Sequence, residues 1–542
     1  MTDPVFNLAD LFEQVVDSVP DHEALVQGSV RLTYAALEER ANRFAHSLTA
    51  GGVQSGDHVG LLLHNCTEYL EAMIGCWKVR AVPININYRY TARELAYVFD
   101  NADLVALVHH RALTPQIDEA MLSCSPLRHL VVVEDRSGAP VAGRVDYETA
   151  LAASSPDRDF AGRSADDHYI LYTGGTTGFP KGVVWRHEDI FYAAMGGGNP
   201  GGPPITDPRE LRDKATEAWQ VSLPIAPFMH ASGQWGSFGT FFSGGTVVIA
   251  PERFDAVAVW RLIAAERVTS VTVIGDAVGR PLVSELERNR EVYDVSSLVA
   301  VASGGSILSP DVKQRFLRLL PGVFVIDGFG SSETGAQGTM MDTAGTEASR
   351  PLTFTVANTT TVLDDELRPA AAGVIGQIAR RGSIPLGYYK DPEKTASTFV
   401  EVDGVRWSLP GDMGFIGEDG SITVLGRGSL SINTGGEKVY PEEVEIVLRG
   451  HPDVVDALVA GERHERWGQQ VTAVVQTMPG ALVVETDIVD HCRGAIAGYK
   501  VPRRIVFVDE IRRSPAGKGD YAWVASILAA SPDIEASDAL EE

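Results

Sequence analysis

The sequence predicts an α/β protein with a large N-terminal domain of wound α/β subdomains and a smaller C-terminal α+β domain. Three observations predict it. Short apolar runs alternate with amphipathic helical stretches, the order that winds helices over a mostly parallel sheet. At 542 residues the chain is longer than one hydrophobic core usually serves. Near residues 425–431 the composition shifts to a short Gly/Ser linker, which divides residues 1–426 from 427–530. Residues 531–542 are acidic and small, the composition of a disordered tail.

Residues 7–19 place Leu8, Leu11, Phe12, Val15 and Val16 on one helical face, and Pro20 stops the helix. Residues 34–50 repeat the pattern with Leu37, Ala41, Phe44, Ala45 and Leu48, before a Gly51-Gly52 stop. The run 59–63 reads as a buried strand, 68–79 as a helix, 82–86 as a strand, 93–99 as a helix and 104–108 as a strand. Residues 196–208, rich in Gly and Pro, read as a long loop or lid. Strands resume at 247–249, 271–274, 298–301 and 323–326. Ser309-Pro310-Asp311 starts a helix: Ser caps free N–H groups, Pro fits the first turn, and Asp meets the positive end of the dipole.

A formal net charge of −26 repels nucleic acid and excludes it as a partner. It also repels nucleotides, so a nucleotide site must gather positive charge locally. The span holding Arg493, Lys500, Arg503, Arg504, Arg512, Arg513 and Lys518 does so. It reads either as a solvated basic face or as a surface for a partner with several phosphates, such as CoA. No apolar run is long enough to span a bilayer. Met1-Thr2-Asp3-Pro4 lacks the basic and apolar regions of a signal peptide, so the expected location is cytoplasmic. Cys66, Cys76, Cys124 and Cys492 have no metal spacing and read as free thiols. A homodimer is compatible with the sequence.

The chemistry concentrates in a few strings. Between Tyr172 and Gly182 stand Thr173, Gly174, Gly175, Thr176, Thr177, Gly178, Phe179, Pro180 and Lys181. Glycine lets a backbone come close to a ligand, successive N–H groups make an anion-binding concavity, and Thr and Lys add donors and charge. That combination suits polyphosphate, although it lacks the Gly-Lys-Ser/Thr of a Walker A loop. Ser303-Gly304-Gly305-Ser306 and Asp327-Gly328-Phe329-Gly330-Ser331-Ser332-Glu333-Thr334 each follow a predicted strand, where α/β sheets bind ligands. A carboxylate such as Glu333 can hold Mg²⁺ beside phosphate.

In these strings the chain resembles the adenylate-forming superfamily of acyl-CoA synthetases, luciferases and peptide-synthetase adenylation domains. The resemblance extends over nearly the whole chain in the family's motif order. It implies ATP, Mg²⁺ and CoA as cofactors, with the loop from Thr173 to Lys181 on the ATP phosphates and Thr173 also in the catalytic set. It implies Glu333 as the Mg²⁺ ligand, Ser332 on the α-phosphate, and the Asp327–Gly330 backbone with Phe329 against adenine. Gly304, Gly305 and Ser306 would border adenine and the acyl group. Asp412, in Trp407-Ser408-Leu409-Pro410-Gly411-Asp412, would take the ribose hydroxyls, a carboxylate suiting two O–H donors. Arg427 would be its partner. Ser429 stands at the hinge position, commonly Asp or Lys.

The string from Arg427 to Glu445 is the longest match. Its Gly435-Gly436-Glu437-Lys438 loop would swing into the site and line the pantetheine channel, which makes the small domain mobile. Arg513-Ser514-Pro515-Ala516-Gly517-Lys518 would supply the adenylating lysine, with compressed spacing after Pro. His230 would stand beside the acyl carboxylate.

The substrate follows from what the segment around His230 lacks. Amino-acid-activating members of the superfamily place an Asp in this segment to pair with the α-ammonium, and none is present between Ile225 and Gly244. Gly233, Trp235, Gly236, Phe238, Gly239, Phe241 and Phe242 instead suggest an apolar cavity, with His230, Gly233, Trp235, Gly236 and Gly305 at the substrate. The motif strings look most like actinobacterial synthetases of steroid side-chain carboxylates or long fatty acids. The implied function is an ATP-dependent acid–CoA ligase working through an acyl-adenylate. Two rivals stand beside it: an acyl-AMP ligase that loads a carrier protein, and a non-catalytic nucleotide-binding protein. Retention of both Glu333 and Lys518 argues against the second. Asp276 reads either as a substrate contact or as the partner of Arg280.

Overall fold

The computed structural model describes residues 4–139, 141–173, 180–306, 308–346, 352–434, 437–464, 468–514 and 517–531, with backbone alone for Ser429, Lys438 and Gly468. Among them the strands form three sheets, of 15, 8 and 5 strands. The first has a parallel centre of Thr246–Val248, Val221–Pro224, Ser270–Val273, Ala300–Gly304 and Phe324–Ser331. The second has one too: His129–Val133, Leu104–His110, His58–Leu62, Val82–Asn85 and His168–Thr173. Such strands are covered on both faces and so read as continuous apolar runs; all of His58–Leu62 is buried. The third sheet belongs to the smaller C-terminal domain, built on the long hairpin Val454–His464 and Gly468–Thr477.

The helices expected at the N-terminus form where their caps allow. Leu8–Ser18 starts at Asn7, whose side chain accepts from the Ala9 N–H. Ala92–Asn101 starts with a capping box of Thr91 and Glu94. Pro310–Leu319 starts at Ser309, as its string requires.

Three expectations change. The strand placed at 323–326 continues to Ser331, so the Asp327–Ser331 string is itself strand and turns back into Gly335–Asp342. The strand placed at 298–301 begins at Ala300 and runs to Gly304. Residues 196–208 are less of a lid than their composition suggests: Gly196–Gly198 is a 3₁₀ turn, and Ile205 is buried in the main core.

Helices Ala256–Ala265, Gly275–Asn289 and Pro310–Leu319 cover one face of the first sheet through Val271, Val273, Val301 and Val325. On the other face the Ala231–Phe242 helix packs with Val247 and Ile249 in the main core. Thr272, Ala300, Ala302 and Gly304 point to that same side and stay half-exposed. An open groove therefore runs along the strands beside this helix and ends at Gly304. Four residues of strand give it a length of about 13 Å.

Candidate active site

The groove ends where the sequence motifs meet. Gly330 lies so close to Gly335 that an added Cβ would stand 2.1 Å from the Gly335 carbonyl oxygen. Only glycine permits that approach, and it brings Ser332 and Glu333 to the top of the sheet. There the Ser332 carbonyl accepts from Trp185 Nε1 at 3.0 Å, and the Glu333 carbonyl accepts from Ser408 Oγ at 2.7 Å. Tyr388 donates its hydroxyl to Glu333 Oε1 at 2.9 Å. The carboxylate is thus aimed before any ligand arrives. Neither Tyr388 nor Ser408 stood out in the sequence; a Tyr and a Ser in strand-like surroundings carry no pattern of their own.

Asp412 and Arg427 face each other across paired strands, with Arg427 Nε 3.1 Å from Asp412 Oδ1. Asp412 holds the Arg427 guanidinium above its ordinary pKa, while burial pushes the Asp412 carboxyl up. Lys518 joins them from the small domain. It stands open to water in the cleft, but the enclosing walls and then the Arg427 charge push its ammonium pKa down, against the pull of Glu333 and Asp412. Its loop is fixed on both sides. Arg513 pairs with Asp456 at 2.6 Å and donates to the Gly517 carbonyl at 3.0 Å. A Cβ on Gly517 would stand 3.0 Å from Ile274 and 3.2 Å from Ser306 of the large domain.

His230 completes the cluster. Burial, then the charges of Lys518 and Arg89, push its pKa down to about 4, so the ring is neutral near pH 7. Its Nε2 is buried without a hydrogen-bond partner among the described residues. The missing sequence signal here is Asn85. Its Nδ2 donates to the Tyr172 carbonyl at 2.8 Å and to the Met229 carbonyl at 2.7 Å, and its Oδ1 accepts from the Tyr172 N–H at 2.7 Å. One side chain thereby ties the start of the Gly/Thr loop to the residue before His230. An Asn inside the apolar run 82–86 was the available clue.

Thr173 and Lys181 pair across the two strands that the Gly/Thr loop joins. Gly174, Gly175, Thr176, Thr177 and Gly178 lie outside the described residues, as do Gly435 and Gly436. Lys181 itself pairs with Asp391 at 2.5 Å. Glu437 lies in the Glu437–Val439 strand and is exposed, making none of the described contacts with Lys518 or Glu333; the Lys438 side chain lies outside the described residues.

Several candidates take different neighbours from those the strings suggest. The Asp327 side chain is buried against Lys313 and accepts from the Leu308 N–H at 3.2 Å, and its residue is paired with strand neighbours on both sides. Phe329 leans on Phe354 with ring centroids 5.3 Å apart. Asp276 pairs with Arg280 at 2.9 Å and accepts from the Ser309 N–H, so it is structural. Phe238, Phe241 and Phe242 are fully buried in the main core with Trp77 and Phe191. A Cβ on Gly233 would stand 2.6 Å from the Pro227 carbonyl oxygen, so this glycine serves close packing. Gly236 meets nothing within 4 Å, Trp235 is half-buried beside it, and Gly304 approaches Ser232; these face the groove. Gly305 turns the strand end with φ of 81°. The basic C-terminal span is mostly paired internally: Arg493 with Asp490, Lys500 with Glu443, Arg504 with Glu462 and Arg513 with Asp456. It therefore offers less free charge to a phosphate-rich partner than its composition suggests.

Comparison with known proteins gives concordant results. Residues 12–389 match the AMP-binding enzyme family and residues 443–518 its AMP-binding enzyme C-terminal domain. The chain is 48% identical over 527 residues, 95% of each chain, to a 3-oxocholest-4-en-26-oate–CoA ligase of Rhodococcus rhodochrous. It is 47% identical over 544 residues, 98% of each chain, to a medium/long-chain-fatty-acid–CoA/3-oxocholest-4-en-26-oate–CoA ligase of Mycobacterium marinum. Among solved structures, the anthranilate CoA ligase AuaEII in complex with anthranoyl-AMP shares the fold at a TM-score of 0.85, covering 98% of this chain and 99% of its own, at 24% identity. No helix among the described residues is long and apolar enough to cross a membrane.

Proposed function

Because the chain belongs to the AMP-binding enzyme family, we propose that it joins a bulky apolar carboxylic acid, a steroid side-chain carboxylate or a long-chain fatty acid, to CoA through an acyl-adenylate. The observation that carries the mechanism is the convergence of Glu333, Asp412, Arg427, His230 and Lys518 from separate motifs on one cleft. The open groove beside Gly236 and Ala302 supports the substrate class, and so do the names of the relatives in Rhodococcus and Mycobacterium.

In the first step an oxygen of the substrate carboxylate attacks the α-phosphorus of ATP, the bond to the β-phosphate oxygen breaks, and pyrophosphate leaves. Charge grows on the phosphoryl oxygens, and Lys518 stabilises it from a fixed position. Asp412 accepts from the ribose hydroxyls while Arg427 keeps it ionised. Neutral His230 can approach the substrate carboxylate without neutralising it. Glu333 offers a hard oxygen beside the phosphate position, which fits Mg²⁺ bound by one carboxylate and substrate phosphates. Bound there, the ion would neutralise phosphate charge. In the second step the small domain, residues 427–530, turns about the 428–430 segment. The Gly435-Gly436 loop replaces Lys518, and the CoA sulfur attacks the acyl carbon and displaces AMP.

Mass-spectrometric detection of acyl-CoA and AMP, with ATP, Mg²⁺, CoA and a panel of steroid, long-chain and short acids, tests this. Thioester from a steroid or long-chain acid is the expected result. Turnover confined to short acids would overturn the substrate class. AMP and bound adenylate without thioester would point to a carrier protein as acceptor.

A further inference from the structure

We propose that Glu442 is the positioning residue of the adenylation step: wedged between the small-domain helix Pro441–Arg449 and the Gly426–Arg427 end of the strand at the domain boundary, its carboxyl holds the small domain where Lys518 enters the site. This rests on the two-step reading above and adds to it what keeps the first orientation in place.

The contact is close and lies between the domains. A Cβ built on Gly426 would stand 2.2 Å from Glu442 Oε2 and 2.6 Å from Cδ, so the carboxyl fills the space a side chain would need. Gly426 has φ of 127°, a backbone that other residues rarely adopt. Glu442 Oε1 accepts weakly from the Arg427 N–H at 3.4 Å. The other oxygen, Oε2, is buried with no hydrogen-bond partner among the described residues. Arg427 is the residue that pairs with Asp412, so the wedge presses on the same strand end that carries the ribose and lysine contacts. Turning the small domain about the 428–430 segment must pull Glu442 away from Gly426, because the two stand on opposite sides of it.

A buried carboxylate oxygen without a donor is costly when ionised and tolerable when protonated. The surrounding charges agree. Glu445 on the same helix and Asp412 on the neighbouring strand repel a negative charge; Arg427 opposes them, and the Tyr521 hydroxyl of the C-terminal helix also feels the Glu442 charge. Burial, then Glu445, pushes the Glu442 pKa up to about 7 in this orientation. Exposed by rotation, the carboxyl would titrate at its ordinary value of about 4.3. The folded protein in this orientation therefore binds a proton that the rotated form releases. Between those values rising pH favours rotation, up to about tenfold per pH unit.

The test uses the full-length enzyme, wild type against Glu442→Gln and Glu442→Ala. A long-chain fatty acid with ATP and Mg²⁺ reads adenylation, and its synthetic adenylate with CoA reads thioesterification. Spin labels, one on each domain, read the interdomain distance without catalysis. In the wild type, raising pH from about 5 to about 8 should lower the ratio of adenylation to thioesterification by up to about 10²-fold and shift the distance away from this orientation. Glu442→Gln should hold both at their low-pH values. Glu442→Ala should slow adenylation several-fold and leave thioesterification unchanged. Identical pH profiles in wild type and Glu442→Gln, or equal loss of both half-reactions in Glu442→Ala, would overturn the proposal. A wild type that performs neither half-reaction yet shows the distance shift, absent in Glu442→Gln, would refute the ligase reading and leave the wedge standing.

Discussion

Lys518 stands among charges that act on it in opposite directions, Arg427 depressing its pKa while Glu333 and Asp412 raise it. Among the described residues its ammonium is thus placed by its neighbours and not bound by any one of them, as a group that meets a phosphoryl oxygen should be. Lys518→Ala should slow adenylation about 10²–10³-fold, the cost of removing one fixed electrostatic stabiliser. Thioesterification of supplied acyl-adenylate should be nearly spared, because that step uses the rotated domain. Single-turnover measurement of each half-reaction checks it, and equal losses in both would refute the exchange of faces. This residue was legible in the sequence because a Gly-Lys pair recurs at the family's position. Asn85 was not. An Asn in an apolar strand signals only that some buried partner exists, and its partners lie 87 and 144 residues away.

At the scale of elements, the motif strands show why strand ends were hard to read. Asp327-Gly328-Phe329-Gly330-Ser331 looks like a loop by composition, since Gly is depleted in strands. It is a strand because Gly330 allows the hairpin partner to approach within van der Waals limits, a tertiary requirement that local propensity does not record. The helical elements were better predicted, because period and caps are local: Asn7, Thr91 and Ser309 each accept from their own first turn. The aromatic stripe of Ala231–Phe242 misled for the opposite reason. Its period was visible, but which face met the groove depended on Trp77 and Phe191 from distant helices. Gly330→Ala should therefore destabilise the protein by about 1–3 kcal/mol through overpacking and reduce adenylation more than its loss of stability explains. Thermal unfolding beside ATP-dependent AMP formation would show this. A variant with unchanged melting and unchanged AMP formation would mean that the hairpin relaxes freely.

Across the whole molecule, the first helix packs in the core to which both large-domain sheets contribute, and one neutral histidine holds its start. His187 Nδ1 accepts from the Leu8 N–H at 3.2 Å, so the proton must sit on Nε2, 3.2 Å from the His168 carbonyl oxygen to which it donates. Further along the helix, Lys78 bridges Glu13 at 2.7 Å and Glu38 at 2.8 Å, both in the buried interior. Protonating His187 at Nδ1 would set an N–H against the Leu8 N–H. Burial accordingly pushes its pKa down to about 4. In the unfolded chain the same ring titrates near 6.5, so the unfolded state binds more protons between about pH 6.5 and about pH 4. The sign follows: this group's contribution is complete above about pH 6.5 and is lost as pH falls towards 4, by up to about 3 kcal/mol. Glu71, whose pKa burial pushes up to about 7, acts in the opposite direction over part of that range, so the wild-type curve alone would not isolate the histidine. Comparison with His187→Gln does, since glutamine can keep a donor and an acceptor but cannot titrate. The variant should be less stable at neutral pH and lose less stability on acidification. Calorimetric melting of both proteins from about pH 7 to about pH 4.5 reads the difference, and parallel curves would show that the helix start is not held by this proton.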